Sequence, residues 1–241
     1  MTKKRLLPLN SVHLRLLALL FMLLDHLWAT VIPGNFWMTC VGRLAFPIFA
    51  FQAAEGFRHT SDFKGYCRRL LIFGLISEIP FNLITGGGLI WPFHQNVLFT
   101  ILLGLIGIRA MDRARQAGTW QQWAKGLAVA AAVSLLGAVT FVDYGYKGVL
   151  TVIAFGVLRQ IPCAKAAQLI TMILLHGVMA QGLVFPVGPV EIPQQTLAIF
   201  ALIPIWLYNG EKGLRSKALQ YASYVFYPAH MLILGIIGRI W

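Results

Sequence analysis

Five ionisable side chains stand in stretches of sequence that are otherwise apolar, and several are of the types that transfer protons. Asp25 and His26 adjoin in FMLLDHLWAT, Arg43 lies in VGRLAF, Glu78 in LISEIPFN and His230 in YPAHMLIL. An imidazole with an ordinary pKa of about 6.5 can take up and return a proton near neutral pH. Ionisable groups at membrane depth are costly, so they usually face a bundle interior or a water-filled cavity. The pattern predicts acid–base chemistry at a site assembled from separate apolar segments.

Asp25 and His26 are neighbours in the chain, so on a helix they point about 100° apart and cannot both face one reacting atom. Two interpretations follow. In the first, His26 faces a cavity while Asp25 turns to a neighbouring helix or to an imidazole nitrogen, as an aspartate that orients a histidine base does. In the second, both residues bond across helices as structural links. Composition does not separate these two interpretations.

The composition indicates which kind of element must position these residues. The chain of 241 residues is 58% hydrophobic and 12% charged, with a mean hydropathy of +0.72. Soluble domains carry about 25% charged residues. Apolar runs long enough to cross a bilayer recur along the sequence, which predicts an integral membrane protein. The cysteines Cys40, Cys67 and Cys163 show no metal-binding spacing, so no metal is expected.

The predicted fold is all-α, a polytopic membrane helical bundle of about nine transmembrane helices in a single domain, 1–241. The segments at 148–159 and 195–208 are short for about 30 Å of hydrocarbon at 1.5 Å per residue. The predicted spans are 12–32, 41–57, 69–85, 96–110, 126–142, 148–159, 166–184, 195–208 and 219–239.

Basic residues give this bundle an orientation. Most of the 20 Lys and Arg residues fall on alternate connecting segments, which by the positive-inside rule are cytoplasmic. The N-terminus is then cytoplasmic, the C-terminus outside, and the protein a multi-pass protein of the inner membrane. The net charge of +12 is therefore largely a topology signal, and no nucleic-acid partner is expected. The residues are Lys3, Lys4, Arg5, Arg58, Lys64, Arg68, Arg69, Arg109, Arg113, Arg115, Lys125, Arg159, Lys165, Lys212, Arg215 and Lys217.

Three of the ionisable residues are predicted to lie well inside the bilayer. Counted from the cytoplasmic end of each helix, Glu78 lies about 14 Å deep, His230 about 17 Å and His26 about 21 Å. Three other residues are given structural interpretations. We expect His176 to pack between helices, Glu55 to pair with Arg58 or Arg68, and His94 to sit in an interfacial belt, with acceptor contact as the alternative.

Six short stretches, in the same order along the chain, resemble the TraX family of F-pilin acetylase-like membrane acyltransferases. They are LFMLLDHLW, GRLAFPIFAFQAAEGF, SEIPFN, QNVLFT, DYGYKGVL and VFYPAHMLIL. The resemblance runs from about residue 15 to residue 234. It implies a membrane enzyme that uses cytoplasmic acetyl-CoA to acetylate an acceptor at the outer face. The acceptor stays open between a pilin-like protein, a sugar and a lipid.

The resemblance also implies roles for particular residues. His26 would be the general base that deprotonates the acceptor, with Asp25 orienting it. Arg43 would stabilise the thioester oxyanion or bind an acidic part of the acceptor. Glu78 and Asn96 would support or line the pocket. The remaining substrate-binding residues would be Asp143 and Tyr144 at the outer mouth, and Tyr227 and His230 beside Pro228 in the cavity.

The donor site is predicted from charge. The phosphates of coenzyme A need basic residues or helix N-termini at the cytoplasmic face. The segment RHTSDFKGYCRR supplies a group of such residues, and Arg15 lies one turn inside the first helix. An alternative function is a proton-coupled transporter for a small solute, in which the buried His and Glu residues form a relay. The predicted acetyl-CoA ligands are Arg15, Arg58, Lys64, Arg68 and Arg69.

Overall fold

A computed structural model describes residues 8–86, 88–213 and 217–240 of the chain. The protein is 75% helical with one small sheet, so the helical prediction is confirmed and the sheet is an addition to it. Lys3, Lys4, Arg5 and Arg215 of the predicted orientation signal lie outside the described residues. The helices are α1 (Ser11–Thr30), α2 (Phe36–Gly42), α3 (Ala45–His59), α4 (Phe63–Thr85), α5 (Val97–Ala117), α6 (Trp120–Val139), α7 (Gly145–Leu158), α8 (Ala164–Ile173), α9 (Leu202–Trp206) and α10 (Lys217–Ile240).

Polar side chains set the starts of the helices that carry the candidate site. Asn10 accepts hydrogen bonds from the backbone N–H groups of Val12 and His13 at the start of α1. Asp62 and Asn96 cap α4 and α5 in the same way. Such caps satisfy backbone donors that have no partner within the helix. They fix the first residue of each helix, and so the face on which every later side chain lies.

Four helical segments are long and apolar enough to cross a membrane: Ser11–Thr30, Phe36–His59, Trp120–Val139 and Tyr221–Ile240. The predicted spans 69–85 and 96–110 lie in the continuous helices α4 and α5, whereas two other predicted spans are interrupted. The predicted span 41–57 is two helices, because the chain turns between α2 and α3 at Arg43. The predicted span 195–208 is a 3-10 helix, Gln194–Ala201, followed by α9.

The predicted span 166–184 ends earlier than expected. After α8 the chain forms a π-helical turn, Leu174–Val178, and then a hairpin of β1 (Val184–Val187) and β2 (Val190–Pro193). Gly188 opens the two-residue hairpin loop with φ of 61°, a backbone conformation that glycine adopts readily. Hydropathy did not predict this hairpin, because apolar residues occupy both of its faces.

The helices pack closely where small residues face a neighbour. A Cβ atom added to Gly104 of α5 would lie 2.4 Å from Cβ of Val152 on α7, and one added to Gly107 would lie 2.4 Å from Cδ1 of Ile153. The buried core includes Leu14, Ile48, Leu105, Val152 and Leu202. The absence of a side chain at these two glycines lets α5 and α7 approach closely.

The outer surface of the bundle is strongly apolar. On α4, Leu75, Ile76 and Ile79 are 61%, 53% and 51% exposed. An apolar side chain that faces outwards on a helix costs little in contact with lipid, whereas contiguous apolar patches on soluble monomers are rarely large. Together with the four long apolar helices, this surface indicates a membrane protein.

Candidate functional site

His26 and His230 form a direct pair between α1 and α10. Nδ1 of His26 lies 2.7 Å from Nε2 of His230, and the two rings are parallel with centroids 4.9 Å apart. The ring of Phe226 stacks on His230, with centroids 4.7 Å apart. The two histidines predicted to share a cavity are therefore in contact, and their ring planes are held by stacking.

The hydrogen bonds of this pair define which nitrogen carries a proton. Nδ1 of His230 lies 2.7 Å from the backbone carbonyl oxygen of Phe226, and a carbonyl only accepts. His230 therefore donates from Nδ1, and in the neutral ring its Nε2 is the acceptor. Nδ1 of His26 is then the donor to His230. This assignment leaves the lone pair of His26 on Nε2.

Asp25 does not bond to His26. Its Oδ1 accepts a hydrogen bond from the hydroxyl of Thr39 over 2.6 Å, and its Oδ2 forms an ion pair with the Arg43 guanidinium. Gln194 in turn donates to the Thr39 hydroxyl over 2.9 Å. Asp25 was expected to orient His26, but in the structure its carboxylate contacts Thr39 and Arg43 instead. The turn between α2 and α3 brings a cation to the carboxylate, and an ion pair is a stronger partner than a neutral imidazole.

The close approach of α1 and α2 depends on Gly42. A Cβ atom at this position would lie 2.5 Å from Cβ of Asp25. The side chains of Arg43 and Asp25 are 21% and 18% exposed, so the charges are paired in largely desolvated surroundings. Arg43, predicted to meet the oxyanion or the acceptor, is in this structure the counter-ion of Asp25.

Glu78 ties α4 to the start of α5. Its Oε1 accepts the backbone N–H of Asn96 over 3.0 Å and also the side-chain amide of Asn96. The same amide donates to the carbonyl of Gly74 over 2.8 Å. A carboxylate at a helix N-terminus is stabilised by the unpaired N–H groups and the helix dipole. The structure thus brings Glu78 and Asn96 together, as one contact between two helices.

Asp143 lies in a short turn that pairs with the segment before α5. The backbone N–H of Asp143 donates to the carbonyl of Gln95 over 2.7 Å, and the Thr100 hydroxyl donates to the carbonyl of Asp143 over 2.5 Å. Nε2 of His94 lies 3.5 Å from the Asp143 carboxylate. The hydrogen bond and charge of Asp143 raise the pKa of His94 above its ordinary value, with a smaller contribution from Glu78, although partial burial opposes the shift.

Tyr144, the neighbour of Asp143, lies deeper in the bundle. Its backbone is left-handed, with φ of 64°, a conformation that residues other than glycine adopt rarely and that is often found at functional sites. Its ring stacks on Phe46 with centroids 4.0 Å apart. Asp143 and Tyr144 were predicted to lie at the outer mouth as substrate-binding residues. In the structure the Asp143 carboxylate lies near His94, and the Tyr144 ring packs against Phe46 of α3.

A cavity of about 710 Å³ enters the bundle at the end where α1 and α4 begin. Its lining includes three basic side chains, Arg15, Arg69 and Lys212. Nε of Arg69 is buried and has no hydrogen-bond partner among the described residues. Met22 and Tyr227 also line the cavity. They lie one helical turn before His26 and His230 respectively.

The cavity includes some of the predicted donor ligands and leaves out others. Arg15 and Arg69 line it, whereas Arg58, Lys64 and Arg68 are not among its described lining residues. Arg58 instead lies 3.6 Å from Glu55. On a helix, Arg68 and Arg69 point about 100° apart, so only one of them can face the cavity.

Lys212 is a cavity residue that the sequence did not single out. It follows a segment that pairs with the start of the chain: Asn209 donates to the carbonyl of Leu9 over 2.8 Å, and Ser11 donates to the carbonyl of Glu211 over 2.9 Å. Thr39, Gln194 and Phe226 were missed as well. Their polar or aromatic groups are unremarkable in sequence, and they gain importance only through partners on other helices.

Two structural interpretations are confirmed. His176 is 1% exposed and bonds to the Thr151 hydroxyl over 2.9 Å and to the Gln195 amide over 3.0 Å. Glu55 pairs with Arg58, as expected, and also with Arg159.

The comparisons with known proteins agree with the resemblance seen in the sequence. The family model described as TraX protein matches residues 11–238. The chain is 30% identical over 244 residues to the probable fimbrial assembly protein FimC, serogroup H1, of Dichelobacter nodosus, covering 93% of this chain and 94% of that protein. It is 26% identical over 235 residues to Protein TraX of Escherichia coli, covering 93% and 86% of the two chains. No solved structure matches. Since the family model covers nearly the whole sequence, the chain belongs to the TraX protein family.

Proposed function

We propose that this protein is a membrane-embedded acyltransferase that moves an acetyl group from cytoplasmic acetyl-CoA to an amine or hydroxyl at the outer face. One relative is named as a probable fimbrial assembly protein, which favours a pilin-like acceptor over a sugar or lipid. The helices would form about nine spans of the inner membrane, with the N-terminus cytoplasmic and the C-terminus outside.

The observation that carries the proposal is the cavity with basic residues at its entrance. His26 and His230 are not among its lining residues, but Met22 and Tyr227, one helical turn before them, are. Arg15 and His26 lie on the same face of α1, three turns and about 16 Å apart. The pantetheine arm of coenzyme A is roughly 15–20 Å long, as estimated from bond lengths. A donor whose phosphates sit near Arg15 and Arg69 would therefore carry its thioester to the level of His26.

The entrance fits a phosphate-bearing donor for a second reason. Arg69 has a buried Nε that lacks a hydrogen-bond partner among the described residues, and leaving such a group unsatisfied is costly. Guanidinium groups bind phosphate through paired, charge-assisted hydrogen bonds. Beyond the entrance, the lining turns apolar with Leu19, Met22 and Phe49, which suits the uncharged arm.

Nε2 of His26 is the proposed base. In the assigned tautomer its lone pair takes the proton of the acceptor amine or hydroxyl as that group attacks the thioester carbonyl carbon. A new C–N or C–O bond forms and the C–S bond breaks. The imidazolium then returns the proton to the departing thiolate, so that free coenzyme A leaves and His26 is neutral again. His230 accepts from Nδ1 of His26 throughout and holds the ring in position.

The acceptor would approach from the opposite end of the bundle. Asp25 is next to His26 in sequence, and its ion pair with Arg43 would shape that approach, with Asp143 and Tyr144 near Arg43. Because the donor and the acceptor arrive from opposite sides, the base must stand between them. This accounts for a histidine in an apolar helix.

Acetyl-CoA binding to the detergent-purified protein, measured by calorimetry, tests the proposal. We expect saturable binding that Arg15→Gln and Arg69→Gln weaken, with acetate and adenosine as negative controls. Arg68→Gln is the matched control, since its side chain is exposed and does not line the cavity. An absence of binding at millimolar acetyl-CoA would overturn the donor assignment.

The hydrogen-bonded imidazole pair is also what a proton relay in a carrier would use, so a proton-coupled transporter remains the second candidate. A carrier has no need of a site for coenzyme A. Proton uptake into liposomes driven by a solute gradient, in a protein that fails to bind acetyl-CoA, would favour this alternative.

A further inference from the structure

A second cavity, of about 430 Å³, lies where the ends of α3, α5 and α7 meet the start of α6. It is separate from the cavity described above, although Thr60 lines both. Three guanidinium groups line it, from Arg58, Arg109 and Arg115. Among its described lining residues, one carboxylate, that of Asp112, faces these three cations.

The nearby carboxylates are already engaged. Glu55 forms an ion pair with Arg159 and lies 3.6 Å from Arg58. Asp112 accepts a hydrogen bond from the Gln116 amide over 2.8 Å. The hydrogen bond from the neutral Gln116 amide leaves the charge of Asp112 in place, so the described lining carries three guanidinium charges against one carboxylate charge, and like charges that face one space repel each other. An anion in the cavity would remove this repulsion.

The residue types favour a phosphate-binding site over basic residues that only set the orientation of the protein in the membrane. Orientation in a membrane needs only Lys or Arg, in any arrangement. All three cations here are arginines, whose planar fork matches phosphate oxygens in pairs. The Arg109 guanidinium is also held in place, 5.1 Å from the centroid of the Phe63 ring, at a distance typical of a cation–π contact.

The lining of this second cavity combines the arginines with aromatic and apolar side chains. Trp123, which is 37% exposed, lies beside the arginines together with Met111 and Val157. Tryptophan is typical of the headgroup level of a membrane, and basic pockets between helices bind the headgroups of anionic lipids. A volume of this size accommodates one or two phosphate groups but not a whole nucleotide with its acyl-carrying arm.

We propose that this second cavity is a binding site for a phosphate-bearing anion, formed by Arg58, Arg109 and Arg115 and distinct from the donor cavity. The phosphate belongs to the headgroup of an anionic phospholipid or to a soluble phosphate compound. The proposal does not depend on the acyltransferase function, because it uses other residues and another cavity.

The test is the thermal stability of the full-length protein in a neutral detergent, with and without added anions. The probes are cardiolipin, phosphatidylcholine, inorganic phosphate and adenosine 3′,5′-bisphosphate. A ligand that binds the folded protein raises the melting temperature in a saturable way. Stabilisation by cardiolipin but not phosphatidylcholine assigns a lipid headgroup, whereas stabilisation by the soluble phosphates assigns a soluble ligand.

The variants decide whether the effect belongs to this cavity. Losing a hydrogen bond to a charged group costs enough to weaken binding about tenfold, so Arg109→Gln and Arg115→Gln should each raise the half-saturating concentration by that factor. Arg113→Gln is the matched control, because this exposed arginine lies on the same helix but outside the cavity. The proposal is overturned if no probe stabilises the protein, or if Arg113→Gln acts as strongly as the other two. Arg109→Lys keeps the charge, so a loss with Lys as well shows that the planar fork is needed.

Discussion

Nδ1 of His26 lies 2.7 Å from Nε2 of His230, although 204 residues separate them in the chain. The backbone carbonyl of Phe226 fixes the proton on the far side of His230, and the pair is thereby polarised in one direction. His230 occupies the orienting position that the sequence suggested for Asp25. In the proposed enzyme, one histidine is the base and the other is its positioning residue.

Replacing His26 should remove acetyl transfer while leaving donor binding intact. General-base catalysis contributes typically 10²–10⁴-fold in rate, so we expect His26→Ala to lower transfer by about that factor. The measurement is transfer of labelled acetyl groups from acetyl-CoA into envelope material, together with calorimetric binding of the donor. Transfer at the parental rate would show that His26 is not the base.

His230 offers a matched pair of substitutions. His230→Phe keeps a flat ring between His26 and Phe226 but removes the acceptor, whereas His230→Gln keeps an acceptor oxygen. Losing the group that fixes a catalytic tautomer costs up to about 10⁴-fold in rate. We expect His230→Phe to lower kcat by ~10²-fold or more with little change in the KM for acetyl-CoA, and His230→Gln to restore part of it. Equal activity of the two variants would contradict the positioning role.

The ion pair of Asp25 and Arg43 should matter mainly for stability. Removing one partner leaves the other charge poorly solvated, which in partly buried surroundings costs about 2 kcal/mol. We expect Asp25→Asn and Arg43→Gln each to lower the melting temperature, and the double variant to lose less than the sum of the two. Asp25→Asn should also reduce transfer less than His26→Ala. Additive losses in the double variant would show that the pair is not coupled.

A substitution at Gly42 tests the close approach of α1 and α2 on which the ion pair of Asp25 and Arg43 depends. A methyl group there would lie 2.5 Å from Cβ of Asp25, so Gly42→Ala should push α2 from α1 and cost about 1–3 kcal/mol of stability. Gly34→Ala is the control, since nothing lies within 4 Å of its added Cβ. Thermal unfolding of the two variants is the measurement, and an unchanged melting temperature for Gly42→Ala would mean that the helices are further apart.

The contact of His94 with Asp143 predicts a dependence of stability on pH. Asp143 raises the pKa of His94, so the folded protein holds this proton more tightly than the unfolded chain. The stabilisation is therefore complete below the ordinary pKa of 6.5 and is lost as pH rises through the raised value. Since the His94 side chain is 41% exposed, the effect should stay below about 1 kcal/mol. The measurement is the melting temperature across this pH range. In Asp143→Asn, the fall in melting temperature that is due to His94 should disappear. An identical pH profile in the variant would refute the contribution of this contact.

The fold could be predicted from the sequence only in part. Long apolar runs predicted α1 and α10 within a few residues, because hydropathy is a local property, whereas α6 begins six residues before the predicted span. The break at Arg43 and the hairpin after α8 were missed. Both occur where the chain remains apolar while its backbone changes direction, and hydropathy does not report such a change.

The sequence by itself determined which ionisable groups the protein has and that they lie in apolar helices. These groups are Asp25, His26, Arg43, Glu78 and His230. The sequence also determined the family to which the chain belongs. Which of these groups become partners was decided by the tertiary structure alone. Adjacent positions on a helix point in different directions, and the side chain that each one meets depends on how distant helices pack. That packing places Asp25 in contact with Arg43 and His26 in contact with His230.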